Sequence, residues 1–219
     1  MAFGPEMRIA YHSRGVASEM VLSAIGAKDI NDLPSWEVID QATPYISPYF
    51  KENLQSLRLA GAYFEKLRES NDSRNWGIFI NGTLIGMTGY DELLCADGPE
   101  TYSAILDPEM QGKGAGVAAA LARNYHAFQV AEFKRIRSSI DMRNNASLGA
   151  VKKLGYVCLE HASPYGYERH QLAAYHPEAV LTSGDATRVP LHGGSWQEAQ
   201  YLTSQALELA ETSFAIATI

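Results

Sequence analysis

The chain has 219 residues, 46% of them hydrophobic and 10% aromatic, enough to bury the core of one domain but short for two full catalytic domains. Its 25 acidic side chains against 18 basic ones leave a formal charge of −7. That balance gives no support to a general nucleic-acid or anionic-membrane surface, and it suits a cationic partner such as an amine.

Residues Met1 to Glu19 show little periodicity beyond a short candidate strand at Met7 to Tyr11. No basic patch precedes an apolar core there, so no signal peptide is expected. No apolar run approaches the roughly 18 residues that a membrane span needs. Val21 to Ile25 reads as the first firm strand, and Asp29 or Asn31 can cap a short helix after it. Pro34, Pro44 and Pro48 break up the next stretch of chain. Leu54, Leu57, Ala60, Phe64 and Leu67 recur at threes and fours, which predicts a helix over Phe50 to Leu67, ended by the polar run Glu69 to Asn75.

Trp76 to Ile80 and Thr83 to Tyr90 flank Asn81-Gly82, the pair that a type I′ hairpin turn favours because both residues tolerate positive φ. A further strand is expected at Thr101 to Leu106, stopped by Asp107-Pro108. After it come a long helix from Gly114 to Val130, a strand at Arg135 to Ile140 and a helix at Ala146 to Leu154 ended by Gly155. Tyr156 to Glu160 and Tyr167 to Tyr175 make the last strands. Ser183 to Gly194 reads as a linker, and Trp196 to Phe214 as a terminal helix that docks on the domain or on a partner subunit. Antiparallel hairpins followed by alternating helices and strands predict a mixed α/β (α+β) fold, a central mixed twisted sheet flanked by helices.

The segment with most chemical content is Asp107-Pro108-Glu109-Met110-Gln111-Gly112-Lys113-Gly114-Ala115-Gly116. A strand enters it and a long helix leaves it. Glycines permit a sharp turn and close approach of a ligand, and the first turn of the helix presents unpaired N–H groups, so the site favours a phosphate or pyrophosphate. A dinucleotide fingerprint is excluded because position 117 is Val117, and a nucleotide P-loop because Gly114 follows Lys113. A glycine cluster without a ligand is the alternative.

Gln111-Gly112-Lys113-Gly114-Ala115-Gly116 resembles the acetyl-CoA pyrophosphate loop of the GNAT acyltransferases. Asn144, Ser147, Leu154, Gly155 and Tyr156 match a second pattern of that family, in the version closest to the branch that acetylates ribosomal-protein N-termini, with polyamine acetyltransferases also similar. The resemblance covers about Val21 to Tyr175, and it implies an extension over 1–20, a GNAT domain over 21–177 and a C-terminal extension over 178–219 with a helix at 196–214.

The resemblance also implies roles. Gly112, Lys113, Gly114, Ala115 and Gly116 would offer backbone N–H groups to the pyrophosphate, and Gln111 would close the loop. Ile105 and Leu106 would pair with the pantetheine arm in the manner of another strand. Asn144 would bond that arm or order its wall, and Ser147 would touch the cofactor or cap the helix; ordinary capping is the alternative for both. Gly155 and Tyr156 would be structural. The strands at 101–106 and 135–140 would run parallel and splay. The reaction would be direct attack of a neutral amine on the acetyl-CoA thioester, which needs a base for the amine. Glu100 lies nearest the family's usual position, displaced by one residue from Thr101, with Asp91 and Glu92 as alternatives and a solvated carboxylate as the plain reading of each. Many members place a tyrosine proton donor where this chain has Val151, which cannot donate. Tyr102, Ser103, Tyr165, Tyr167 and Tyr175 either line the cleft or pack strands.

The resemblance thus implies a cytoplasmic N-acetyltransferase that uses acetyl-CoA and acts on a small-molecule or peptide amine, with neither nucleic acid nor membrane as partner, either monomeric or a homodimer. A non-catalytic acyl-CoA-binding, sensory or interaction protein with the same fold is the alternative. No metal site is expected: His12, His126, His161, His170, His176 and His192 form no ligand set with Cys95 and Cys158, and the two cysteines are read as reduced core residues, with a place facing a catalytic cleft as the alternative for either.

Overall fold

In the type I′ hairpin, Asn81 has φ 53° and Gly82 φ 82°, and they join β3 (Ser73–Ile80) to β4 (Thr83–Asp91). The computed structural model that shows this describes residues 3–13, 16–162, 169–179, 189–190 and 196–216. The chain divides into two compact units. The first comprises 1–91, 103–120 and 213–219, and the second 92–102 and 121–212.

In the first unit the strands lie in the order β10-β1-β2-β3-β4-β5. Here β1 is Met7–Ser13, β2 is Val16–Ser23, β5 is Glu100–Ile105 and β10 is Phe214–Ile216. β10, β1, β2, β3 and β4 pair antiparallel in sequence. Ile78 pairs with Gly86 and Phe79 with Leu84, so Ile85 is an extra residue on β4, a β-bulge. The bulge lets the Ile85 carbonyl accept both Leu106 N–H (2.8 Å) and Asp107 N–H (3.1 Å), which fastens the chain just after β5. Gly86 permits that closeness: a Cβ there would run into the Ala104 carbonyl oxygen. Met7, Met20, Leu22, Trp76, Ile78 and Met87 are fully buried in this unit. Its helices are α1 (Trp36–Ala42), α2 (Pro48–Leu54) and α3 (Leu57–Glu69), and α4 (Ala115–Tyr125) begins in it.

The second unit carries the start of β5, then β6 (Arg135–Asp141), β8 (Arg169–Tyr175), β7 (Val157–Ala162) and β9 (Val189–Pro190), in that spatial order. β6 runs parallel to β5, with Glu100 opposite Arg137 as their one register pair. β8 is antiparallel to both β6 and β7. α5 (Asn145–Lys153) and α6 (Trp196–Ser213) complete the unit, with Ala199 of α6 packed into a cluster of Val157, Ala173 and Tyr175.

The class is the one expected, mixed α/β with a sheet flanked by helices. Several boundaries differ. β1 begins at Met7 as expected and runs on to Ser13, the strand expected from Val21 begins at Val16, and the two pair antiparallel. The helix expected over Phe50 to Leu67 is two helices, because Ser56 caps a new one by accepting the Leu59 N–H (3.3 Å). α1 was not anticipated. Asp29 accepts the Gly26 N–H (2.7 Å) and starts only a 3-10 turn. The helix expected to reach Val130 ends as α at Tyr125 and continues as a π-helical turn over His126–Val130. Val189–Pro190 pairs with β7 inside the expected linker. Tyr165 and Tyr167 lie outside the described residues.

Candidate active site

The glycine-rich turn lies wholly in the first unit. Asp107 begins it by accepting the Glu109 N–H (2.9 Å), which sets a 3-10 turn over Pro108–Met110. Gly112 at φ 67° and Gly114 at φ 88° adopt left-handed backbone that other residues resist. A Cβ at either would meet nothing within 4 Å, so open space adjoins the backbone there. Gln111 ties the turn down: its Nε2 donates to the carbonyls of Ala42 at the end of α1 and Ile105 at the end of β5, both at 3.0 Å. Tyr11 on β1 donates from its hydroxyl to the Lys113 carbonyl (2.6 Å). Nothing in the sequence around Tyr11 points to this contact, since 102 residues separate the partners.

The first helical hydrogen bond of α4 runs from Ala118 N–H to the Gly114 carbonyl (3.0 Å). Among the described residues, none of the backbone N–H groups of Gly112, Lys113, Gly114, Ala115, Gly116 and Val117 donates to a protein acceptor. Backbone donors are seldom left without acceptors unless solvent or a ligand takes them. Six in succession at a helix start, under the positive end of its dipole, make a site for an anion. The residues present therefore fit a pyrophosphate. Leu106 is buried and its N–H is committed to Ile85, while its carbonyl has no protein donor among the described residues.

The remaining expected cofactor residues belong to the second unit. Asn144 is the N-cap of α5, its Oδ1 accepting the Ser147 N–H (3.1 Å). Ser147 is thus the capped residue and does not itself cap the helix, which corrects that alternative. Gly155 at φ 78° ends α5 against α6, where an added Cβ would sit 2.5 Å from the Ala199 carbonyl oxygen. Tyr156 is fully buried, with its hydroxyl 3.3 Å from Thr101 Oγ1, Asn124 Oδ1 and Arg123 Nη2. Both residues have the structural parts expected. Val151 is buried within α5.

Of the candidate carboxylates, Glu100 opens β5 half-buried. Its neighbour Thr101 points the other way, buried, with its hydroxyl donating to the Arg137 carbonyl (2.8 Å). Glu92, at φ 56°, forms an ion pair with Arg137. Arg135 reaches Asp97 in the same way, so two arginines of β6 hold the loop that precedes Glu100. Asp91 is exposed at the end of β4, in the first unit. Ser103 shares a hydrogen bond with Thr88 (2.7 Å) in the first unit, and Tyr175 is buried in the second under the Arg135 guanidinium.

Burial pushes the Cys158 thiol up, away from thiolate chemistry. Burial, then the charge of Lys134, pushes His176 down, and its Nδ1 accepts the Glu178 N–H (3.2 Å) as a neutral ring must. Among the described residues no group of three His, Cys, Asp or Glu could hold a metal ion, and no helix is long and apolar enough to cross a membrane.

A family model described as an acetyltransferase (GNAT) domain matches residues 19–157. No curated protein matches the chain at the sequence level. Among solved structures, an uncharacterized protein from Bacillus halodurans is similar at TM-score 0.66 and 12% identity, over 94% of this chain and 96% of that one. RimJ of Mycobacterium smegmatis, in complex with CoA-disulfide, is similar at TM-score 0.61 and 14% identity, over 83% and 90%. The ribosomal-protein-S5-alanine acetyltransferase of Vibrio fischeri is similar at TM-score 0.60 and 14% identity, over 77% and 96%.

Proposed function

Because the chain belongs to the GNAT acetyltransferase family, we propose that it transfers an acetyl group from acetyl-CoA directly to a primary amine. The acceptor class is a protein N-terminus, a polyamine or another small amine, and the setting is the cytoplasm. The observation that carries this reading is the run of six backbone N–H groups from Gly112 to Val117, two of them on glycines in left-handed backbone, which have no protein acceptors among the described residues. Those groups would take the pyrophosphate. The Leu106 carbonyl would receive the pantetheine arm. In the second unit Asn144 caps α5 through Oδ1, and its side-chain amide hydrogens have no protein acceptor among the described residues. The domain doing this work would be 21–177, with 1–20 and 178–219 as extensions.

Acetyl-CoA supplies an activated thioester; the protein must supply a free amine and accommodate the leaving thiolate. Glu100 is the base we favour, acting on the amine directly or through one water. Glu92 is weaker because its carboxylate is already engaged by the Arg137 guanidinium, and exposed Asp91 ranks after Glu100. With Val151 in place of a tyrosine, α5 offers no proton at that position. That residue supports the second reading, a protein that binds acyl-CoA without turning it over.

Release of the CoA thiol from acetyl-CoA, followed with N-terminal peptides, spermidine and small primary amines, tests the proposal. Turnover dependent on one amine class supports it, and tight CoA binding without turnover of any amine favours the second reading. For the base, Glu100→Gln should lose most turnover near neutral pH and recover partly as pH rises and free amine accumulates. Turnover within about two-fold of wild type across the range would discard Glu100.

A further inference from the structure

Tyr11 is 4% exposed and sits on β1 opposite Ser18 of β2; earlier in the same strand, Met7 to Ile9 also pair with β10. It lies outside the residues matched by the family model, in a segment otherwise read as an extension. Its hydroxyl nevertheless ends on the Lys113 carbonyl, in the middle of the glycine-rich turn. We propose that Tyr11 is a positioning residue for the cofactor loop, setting the direction of the backbone donors that receive the CoA pyrophosphate. The inference rests on the CoA-binding reading above.

Two consequences of one hydrogen bond carry the argument. Among the described residues no peptide bond is cis, so the Lys113–Gly114 peptide is trans and its N–H points opposite to its carbonyl. With the carbonyl held by Tyr11, the Gly114 N–H must face away from β1. The second consequence concerns the helix. In a regular helix the Lys113 carbonyl would accept the Val117 N–H four residues on. Here it is turned onto Tyr11, α4 starts its bonding one residue later with Ala118, and Val117 N–H has no protein acceptor among the described residues. Gln111 holds the start of the turn through the Ala42 and Ile105 carbonyls, so the turn is fastened there and at Lys113. Gly114 at φ 88° is what lets the chain take this shape. Preorganised donors bind an anion without first reordering the loop, which is where such a contact gains affinity.

The test compares the full-length wild-type chain with Tyr11→Phe, which keeps the buried ring and removes only the hydroxyl. Calorimetry with CoA should show Kd raised about 5- to 10-fold in Tyr11→Phe, the size expected for loosening donors to a charged group. Pantetheine, which has no pyrophosphate, is the control, and its Kd should stay within two-fold; a merely structural Tyr11 would weaken both ligands alike. Amide exchange in both proteins adds a second measurement. The Val117 amide should exchange rapidly without ligand and become protected with CoA, and in Tyr11→Phe it should already be partly protected by the released Lys113 carbonyl. A CoA Kd within two-fold of wild type, equal losses for CoA and pantetheine, or a Val117 amide protected in the free wild type would each overturn the inference. Failure of the wild type to bind CoA at all would instead overturn the CoA-binding reading itself.

Discussion

Replacing Gly114 with alanine separates backbone strain from steric exclusion, because a Cβ there would meet no protein atom within 4 Å. What the alanine cannot tolerate is φ 88°. Holding an L-residue in left-handed backbone costs about 1–2 kcal/mol. The free protein can shed that cost by turning the Lys113–Gly114 peptide, which gives up the Tyr11 contact and moves the Gly114 N–H out of the donor array. CoA must then restore the strained form, so 1–2 kcal/mol appears as a Kd about 5- to 30-fold higher. Calorimetry on the folded Gly114→Ala protein measures this, with a thermal melt to confirm the fold. Gly112→Ala, at φ 67° and equally open, should behave alike. A CoA Kd within two-fold of wild type in both variants, with unchanged melting, would refute the assignment of the loop.

Gly155→Ala should act on folding, since the new Cβ meets Ala199 and Thr203 of α6 at φ 78°; a loss of about 3 kcal/mol or more in urea unfolding is expected, and a loss below about 1 kcal/mol would show that α6 moves aside freely. A chain ending at Gly193 lacks α6 and β10, uncovers Val157, Ala173 and Tyr175, and frees an edge of β1. It should melt lower or aggregate, and an unchanged melting temperature and oligomeric state would show both elements to be dispensable. His176 has its folded-state proton affinity lowered, first by burial, so the unfolded chain binds the extra proton more readily. Its contribution is therefore present above the ordinary histidine value of about 6.5 and is lost as pH falls below it through the lower folded value. Wild type should lose stability on going from about pH 7.5 to 5.5 more steeply than His176→Asn, and parallel profiles would discount the histidine.

The local signals legible in the chain were those whose physics is local. Asn81-Gly82 specifies its turn through the φ preferences of two adjacent residues, and Gly155 ends α5 for the same reason. The turn from Gln111 to Gly116 reads as an anion site because glycines and a helix start lie in one short stretch, and the left-handed backbone at Gly112 and Gly114 agrees with the turn. Ser56 was legible in principle as a cap, yet the apolar stripe running across it hid the break between α2 and α3. Other features depended on partners far away in the chain. Phe214–Ile216 is a strand only because β1 offers it an edge, so its sequence alone continued the helix pattern of α6. Asn144 and Ser147 fit the expected pattern, but which of them caps α5 was settled by side-chain geometry. Tyr11 is the clearest case: its sequence surroundings specify at most a strand, and its hold on the Lys113 carbonyl exists because the fold brings β1 to the glycine-rich turn across 102 residues of chain. Sequence by itself determined where the backbone can turn, because those φ preferences lie in adjacent residues. Only the tertiary structure decided which distant side chains hold the turn in place, because a hydrogen bond between remote segments leaves no periodic trace in either.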